Sequence, residues 1–358
     1  MLSRVAEAIY WISRYCERAE NVARFIKVNY SLTLDSAATQ LSPQWMPLVY
    51  TSGDHEDFNE RYPDGSRANV LQFLILDPKN PNSIYSCISQ ARETARTVRE
   101  ILPDSLWEQI NRFYLVVKEA AEDPDTIKNA YQFCQSVYLA NHLLVGISES
   151  CMPRDETWHF FQVGRYIERA DKTSRIVDVQ YYLLLPQASQ VGSPIDIIRW
   201  SSLLKSVEAL NVYHRIRGRI IPEKVADFLI FDARFPRSIQ YCILQAHIHL
   251  KAIRQMAGIE IVESTEMMAR RISDHLKSTE IEKVIENGMH DFIDQFQVSI
   301  NELGQEIFVN FFDVKKTTED QNFSNSSSSG NQSQTQSQTQ SKTRSQTQSQ
   351  GSSQPSLG

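Results

Sequence analysis

Two segments of the chain carry arginine and glutamate at the same spacing, and these side chains could bind an anion or one another. The first segment reads RYCERAENVAR, from Arg14 to Arg24, and the second reads RYIERADKTSR, from Arg165 to Arg175. Guanidinium groups grip carboxylates and phosphates through paired hydrogen bonds, whereas buried charges must be paired with one another. The pattern leaves two interpretations open, a structural Arg–Glu network or a two-copy anion site. The candidate residues are Arg14, Glu17, Arg18, Arg24, Arg165, Glu168, Arg169 and Arg175.

A second set of cationic side chains follows at helical spacing. Arg92, Arg96 and Arg99 lie at positions i, i+4 and i+7, so they share one face of a helix. The aligned positions in the second half of the chain are His247, Lys251 and Arg254. Such rows could line a basic groove for an acidic peptide, a nucleotide or a partner, although a charged row is more often a solvated helix face.

Other constellations that support catalysis or metal binding are incomplete. A di-iron bundle needs two Glu-x-x-His motifs, and only Glu156 and His159 form one. The chain has no Gly-x-Ser-x-Gly and no glycine-rich phosphate loop. Five cysteines without a Cys-x-x-Cys argue against a disulfide framework and a zinc ribbon. We therefore assign no catalytic residue, no metal and no cofactor, and the protein is not expected to be an independent enzyme.

Long helices are needed to position these residues. Apolar and small residues step by four and three from Val5 to Tyr30, which is a heptad seam suited to long antiparallel helix packing. The second Arg/Glu segment repeats the seam from Phe160 to Tyr181. Strand signals are weak, so the sequence predicts an all-α multi-helix bundle of roughly ten to twelve helices, with a partly irregular excursion over 40–64.

The Arg/Glu segments belong to an internal repeat. A second pair of segments reads FLILDPKNPNSIYSCISQA from Phe73 and FLIFDARFPRSIQYCILQA from Phe228. Both pairs occur in the same order with nearly the same offset, and they share Asp, Pro and Ser as well as apolar positions. We therefore predict two homologous halves, about 1–152 and 153–316, packed as one body.

The composition changes near residue 317. From there to residue 358 the chain is mostly Ser, Gln, Thr, Asn and Gly, so the sequence predicts a disordered tail after a helical domain of residues 1–316. The net charge of −6 argues against a general nucleic-acid binder. No apolar run approaches the roughly 18 residues of a membrane span, and the N-terminus lacks a signal-type apolar region. We therefore expect a cytoplasmic protein that does not contact a membrane.

Taken together, these motifs resemble the bacterial alpha-E domain family, a set of uncharacterised all-helical proteins. The resemblance rests on MLSRVAEAIYWISRYCERAENVAR, LILDPKNPNSI with ARETAR, WHFFQVGRYIERADKTSR and FLIFDARFPRSI. It covers about residues 1–315. The Glu-Arg-Ala motif of the family falls on residues 17–19 and again on residues 168–170.

The resemblance implies a partner rather than a reaction. Alpha-E proteins are typically encoded beside, or fused to, a circularly permuted ATP-grasp protein, often with a transglutaminase-like protease nearby. This setting implies a helical accessory or scaffold protein in peptide synthesis or modification, with ATP and Mg²⁺ handled by the ATP-grasp partner. Two alternatives stay open, namely an enzyme or half-site subunit that binds an anionic substrate at the duplicated Arg/Glu motif, and a helical protein that binds nucleic acid. The sequence leaves the oligomeric state open.

Overall fold

Helices account for most of the residues that the structure describes. The computed structural model describes residues 2–36, 45–183, 193–257 and 263–313. In these ranges the chain forms fifteen α-helices and two π-helical turns and no strand, which confirms the predicted all-α class. The helix count exceeds the prediction because several helices have only seven or eight residues, too short for a clear apolar period.

The first seven helices are α1 (Ser3–Ser36), α2 (Met46–Ser52), α3 (His55–Arg61), α4 (Arg67–Ile75), α5 (Ile84–Thr97), α6 (Asp104–Glu122) and α7 (Ala130–Cys151). The next four are α8 (Glu156–Asp178), α9 (Pro194–Ser206), α10 (Leu210–Arg217) and α11 (Pro222–Phe231). The last four are α12 (Ile239–Ala257), α13 (Glu263–Ser278), α14 (Ile281–Asn287) and α15 (Met289–Ile307). The π-helical turns, Val179–Leu183 and Phe308–Phe312, extend α8 and α15.

The heptad seams become the centre of the core. On α1 the seam residues Ile9, Ile12, Ala19, Ala23 and Ile26 are fully buried. On α8 the fully buried seam residues are Val163, Ile167, Ala170, Ser174 and Val177. The small side chains in both sets allow neighbouring helices to approach closely, and α1 and α8 make the most extensive helix–helix contact in the described part of the chain.

Each central helix has its own set of neighbours. Helix α1 packs against α5 and α7, and α6 bridges α5 and α7. Helix α8 packs against α12 and α15, and α13 bridges α12 and α15. This arrangement of neighbours is the one that two related halves would give, and the duplication itself stays a prediction from the sequence.

Helices α1 and α8 run in the same direction, so the prediction of antiparallel packing is wrong for this pair. Near the start of both helices, Tyr10 and Ser13 lie against Gly164. One turn further along, Glu17 contacts Arg169. Still further along, 25–29 and 176–180 contribute to the lining of one cavity. Antiparallel neighbours follow from short loops, whereas the six helices between α1 and α8 provide a return path that permits parallel packing.

The loops before α5 and α12 are built alike. The hydroxyl of Ser83 accepts a hydrogen bond from the backbone N–H of Ser86 and caps α5. The hydroxyl of Ser238 accepts one from the backbone N–H of Tyr241 at the start of α12. Satisfying these free N–H groups stabilises the helix starts, so the serines act as local structural residues.

Two further predictions concern the excursion over 40–64 and the C-terminal end of the helical domain. The excursion over 40–64 is more regular than predicted, because α2 and α3 occupy 46–52 and 55–61. The described helices belong to one compact unit, Met1–Val314. The domain boundary at residue 316 and the disordered tail over 317–358 lie outside the described residues and stay predictions. In the described ranges, no helix is long and apolar enough to cross a membrane.

Candidate functional site

The two Glu-Arg motifs exchange ion pairs between α1 and α8. The guanidinium of Arg18 donates from Nε and Nη2 to the two carboxylate oxygens of Glu168, at 2.6 and 2.9 Å. The guanidinium of Arg169 donates in the same way to Glu17, at 2.7 and 2.9 Å. Each motif therefore supplies the carboxylate that the arginine of the other motif needs. We call these four residues the reciprocal clamp.

Burial explains why the pairs form between the helices rather than along one helix. The side chains of Glu17 and Glu168 are 1% and 0% exposed. A buried carboxylate is costly unless it is paired and its oxygens accept hydrogen bonds. The two-pronged contact of an arginine satisfies both oxygens at once and fixes the relative position of the helices. The sequence predicted a network of these residue types as one of two interpretations, but it did not show which arginine pairs with which glutamate.

Further side chains complete each end of the reciprocal clamp. Arg14 donates to Glu168 at 2.9 Å, and Arg18 also donates to the side-chain oxygen of Asn82 at 2.6 Å. At the other end, Arg237 donates to Glu17 at 3.3 Å. Asn82 and Arg237 occupy aligned positions in the second repeated block, directly before the capping serines. Sequence reasoning missed Arg237 because the two aligned residues differ in type, although their shared position was a usable signal.

The remaining predicted residues lie around this centre with separate partners. Arg24 forms an ion pair with Glu20, and Arg175 donates to both oxygens of Asp171 at 3.1 Å. Arg165 contacts the hydroxyl of Tyr166 at 3.1 Å and lies 3.7 Å from the carboxylate of Glu149. Arg165 is therefore beside the reciprocal clamp and outside its hydrogen bonds.

The charges of the reciprocal clamp hold both carboxylates in the ionised form. Burial alone raises the pKa of Glu17, but the charges of Arg169 and Arg237 outweigh it and hold that pKa well below its usual range. The same balance, with Arg18 and Arg14, lowers the pKa of Glu168. Ionised carboxylates already held by arginines are poor proton donors and poor nucleophiles. The arrangement is suited to joining helices.

The predicted basic groove is divided between two helices. On α5, Arg92 and Arg96 form ion pairs with Glu93. Arg99 lies in the turn after α5, so the prediction that it shares a helix face with them is wrong, and its guanidinium lies 5.5 Å from the ring centre of Trp107 on α6. On α12, His247 and Arg254 lie 3.0 and 3.1 Å from the carboxylate of Glu266 on α13, and Lys251 is exposed. Carboxylates offset much of the positive charge in each row. The contacts place the first row against α6 and the second row against α13.

Two buried histidines form a contact that the sequence did not suggest. The Nδ1 atoms of His159 on α8 and His249 on α12 lie 2.8 Å apart, so one ring donates a hydrogen bond from its N–H to the other. The rings of Trp158 and Tyr166 pack on His249, with centroids 4.9 and 5.9 Å away. Burial, together with the neighbouring His159 and Arg165, lowers the pKa of His249 to about 3. Burial also lowers the pKa of His159.

This pair predicts a pH dependence of stability. Because the pKa of His249 falls from 6.5 to about 3 on folding, its stabilising contribution is complete above pH 6.5 and is lost as the pH falls toward 3. Between pH 6 and 5, we expect His249 to lower the free energy of unfolding by about 1.4 kcal/mol per pH unit. Urea unfolding at several pH values measures this slope. His249→Gln should reduce the slope, and His214→Gln, which changes an exposed histidine, should leave it unchanged. Equal slopes in all three proteins would rule out the histidine pair as the cause.

The environments of the buried thiols and the grouping of possible metal ligands bear on cysteine and metal chemistry. Burial raises the pKa of the Cys87 and Cys242 thiols to about 12, and each thiol contacts the carbonyl oxygen of a proline at 3.6 Å. Thiols with raised pKa values are weak nucleophiles. Across the described ranges, no three His, Cys, Asp or Glu side chains are grouped to hold a metal ion. The histidine of the lone Glu-x-x-His motif is His159, which pairs with His249 instead.

Comparison with curated proteins identifies relatives of greater length. One protein of Mycobacterium bovis and two of Mycobacterium tuberculosis, all described as uncharacterized, are each 25% identical to this chain over 306 residues. The matched region is 80% of this chain and 34% of each relative, so the chain spans about a third of the length of the curated relatives it matches. No solved structure matches the chain.

A family model matches residues 1–312 and carries the description Alpha-E, a predicted alpha-helical domain with a conserved ER motif. The dipeptide Glu-Arg occurs at residues 17–18, 60–61 and 168–169 of this chain, and the first and last occurrences supply the four residues of the reciprocal clamp. The matched residues include the central helices α1 and α8 and the helices that pack against them. The chain therefore belongs to the Alpha-E family.

Proposed function

We propose that this protein is a helical accessory or scaffold subunit that acts with an ATP-grasp, peptide-ligase-like partner in peptide synthesis or modification. The partner would bind ATP and Mg²⁺ and carry out the chemistry. The Alpha-E domain would supply a rigid surface and orient the partner or its peptide substrate. We place this activity in the cytoplasm, where the five free cysteines would stay reduced.

The observation that carries the proposal is the structural role of the repeated Glu-Arg pairs. Both Glu-Arg pairs form ion pairs that join α1 to α8. Two or more arginines hold each carboxylate in its ionised form. A catalytic acid or base needs a pKa near the working pH and access to a substrate. The reciprocal clamp favours a scaffold over an enzyme whose reaction takes place at this motif.

The relatives provide a second line of support. About two thirds of each mycobacterial relative lies outside the region that matches this chain. In those proteins the Alpha-E-like region is therefore joined to a larger stretch of polypeptide. A domain that works beside a partner protein could be fused to other domains in this way.

A reconstitution experiment tests the proposal. The full chain and an ATP-grasp protein of the same organism would be purified. Formation of ADP would be measured for each alone and for the mixture, with Mg²⁺ or with a chelator. We expect the two proteins to co-elute and the mixture to form ADP only with Mg²⁺. The Alpha-E chain alone should form none. Turnover of ATP or a peptide by this chain alone, or failure to form a complex at micromolar concentration, would contradict the proposal.

A further inference from the structure

An open cavity lies between α13 and α15, two helices that pack against each other. Its volume is about 240 Å³, and residues of both helices line it. An engineered cavity of about 150 Å³ in another protein is large enough to hold benzene. The α13–α15 cavity therefore has room for a ring with a short side arm.

The most deeply placed residues of the α13–α15 cavity are apolar. Leu276 and Phe296 line it and are buried, and Ile272 and Phe292 line it and are half-buried. Phe292 and Phe296 lie one helical turn apart on α15, so they share one face of that helix. Two phenyl rings in one wall offer an aromatic ligand the offset and edge-on contacts that ring pairs prefer.

Positive charge and hydrogen-bond donors lie at the rim of the α13–α15 cavity. Arg271 and His275 both line it, are exposed and lie one turn apart on α13. The neighbouring Arg270 forms an ion pair with Asp274 at 3.4 Å, whereas in the part of the chain that the structure describes no ion pair involves Arg271. A guanidinium can donate two parallel hydrogen bonds to a carboxylate, and an imidazole N–H can donate a third.

The remaining polar side chains of the α13–α15 cavity are uncharged. These are Gln295 and Ser299 on α15, and no carboxylate is among the described residues that line the cavity. An inorganic anion would leave the apolar surface exposed to water, and a purely apolar ligand would make no use of the guanidinium. A ligand that covers both parts needs an apolar body and a negative charge at one end.

We propose that the α13–α15 cavity binds a small aromatic monocarboxylate. The ring of the ligand would pack against Phe292 and Phe296, and its carboxylate would accept hydrogen bonds from Arg271 and His275. Because the ligand would contact both helices in the folded chain, its binding should also raise the thermal stability of the protein. The site goes beyond the proposed scaffold function and does not depend on an ATP-grasp partner.

The test uses the full chain and 3-phenylpropionate as the probe. Saturation-transfer NMR would measure its affinity, with 3-phenylpropanamide as the neutral match, N-acetyl-phenylalanine as the end of a peptide and inorganic phosphate as a competitor. Arg271→Met removes the proposed guanidinium, and Arg270→Met is the matched control because it changes the adjacent arginine, which is paired with Asp274. Ser299→Leu places a larger side chain in the cavity, and the serine hydroxyl that it removes bonds within α15. Urea unfolding would show that each variant is folded.

We expect 3-phenylpropionate to bind at millimolar concentration and to raise the unfolding temperature. Arg271→Met should weaken binding about tenfold or more, as expected for the loss of hydrogen bonds from a charged group. Arg270→Met should leave the affinity unchanged, and Ser299→Leu should abolish binding. The proposal is overturned if the probe shows no saturation transfer, if the neutral amide binds equally well, or if phosphate displaces the probe at equal concentration. It is also overturned if N-acetyl-phenylalanine binds more tightly than the probe, if the two arginine variants behave alike, or if folded Ser299→Leu still binds.

Discussion

Replacing Glu168 with glutamine is expected to destabilise the fold by about 3–5 kcal/mol, the usual cost of removing one member of a buried ion pair. The carboxylate of Glu168 is fully buried and accepts hydrogen bonds from Arg18 and Arg14. Without its charge, both guanidiniums would remain between α1 and α8 with no strong acceptor. The loss would appear as a lower midpoint in urea unfolding.

A surface ion pair supplies the control for this variant. The side chain of Glu122 is 71% exposed and lies 3.8 Å from Lys118 on the same helix. Glu122→Gln should cost less than about 1 kcal/mol, because exposed pairs contribute little. If Glu168→Gln were no more damaging than Glu122→Gln, the reciprocal clamp would not be holding the helices together.

Replacing Gly164 with alanine is expected to cost about 3 kcal/mol. A Cβ atom at Gly164 would come closer than 3.0 Å to the hydroxyl of Ser13 and to the backbone carbonyl of Tyr10. The hydroxyl could rotate, but the carbonyl belongs to the backbone of α1 and cannot yield without moving that helix. Overpacking of this kind typically costs 1–3 kcal/mol. The shift would also disturb the reciprocal clamp, which begins one helical turn further along.

Gly146 provides a matched glycine in a helix without such a neighbour. It lies in α7, and nothing would lie within 4 Å of a Cβ atom there. Gly146→Ala should stabilise the protein by about 0.5–1 kcal/mol, because alanine has the higher helix propensity. Thermal unfolding of the two variants should therefore change in opposite directions. A Gly164→Ala protein as stable as the unchanged chain would show that α1 and α8 are not in close contact at this position.

The sequence was sufficient for the parts of the fold that depend on local periodicity. The steps of four and three from Val5 to Tyr30 predicted a buried helix face, and its central residues are fully buried. It was less informative about direction. Nothing in the period of a helix indicates whether its neighbour runs parallel or antiparallel, and the parallel packing of α1 and α8 depends on the six helices between them.

The site could be predicted in composition and not in pairing. The repeated motif identified Glu17, Arg18, Glu168 and Arg169 as related residues, but a contact across about 150 residues leaves no trace in local spacing. Arg237 escaped notice because the aligned residue in the first half is Asn82, so the pair does not stand out by residue type. Nothing in the spacing of the histidines pairs His249 with its partner on α8, His159. Such contacts are set by tertiary packing.

A double-mutant cycle on Arg18 and Glu168 is the most direct test of the reciprocal clamp. Arg18→Met, Glu168→Gln and the double variant would be unfolded in urea, with Arg18→Met and Glu122→Gln as the uncoupled comparison. The structure predicts a coupling energy of about 2–3 kcal/mol for the first pair and about zero for the second, because only residues in contact are coupled. A coupling energy near zero for Arg18 and Glu168 would contradict the account, since the Glu-Arg motifs would then stabilise the fold without acting on one another.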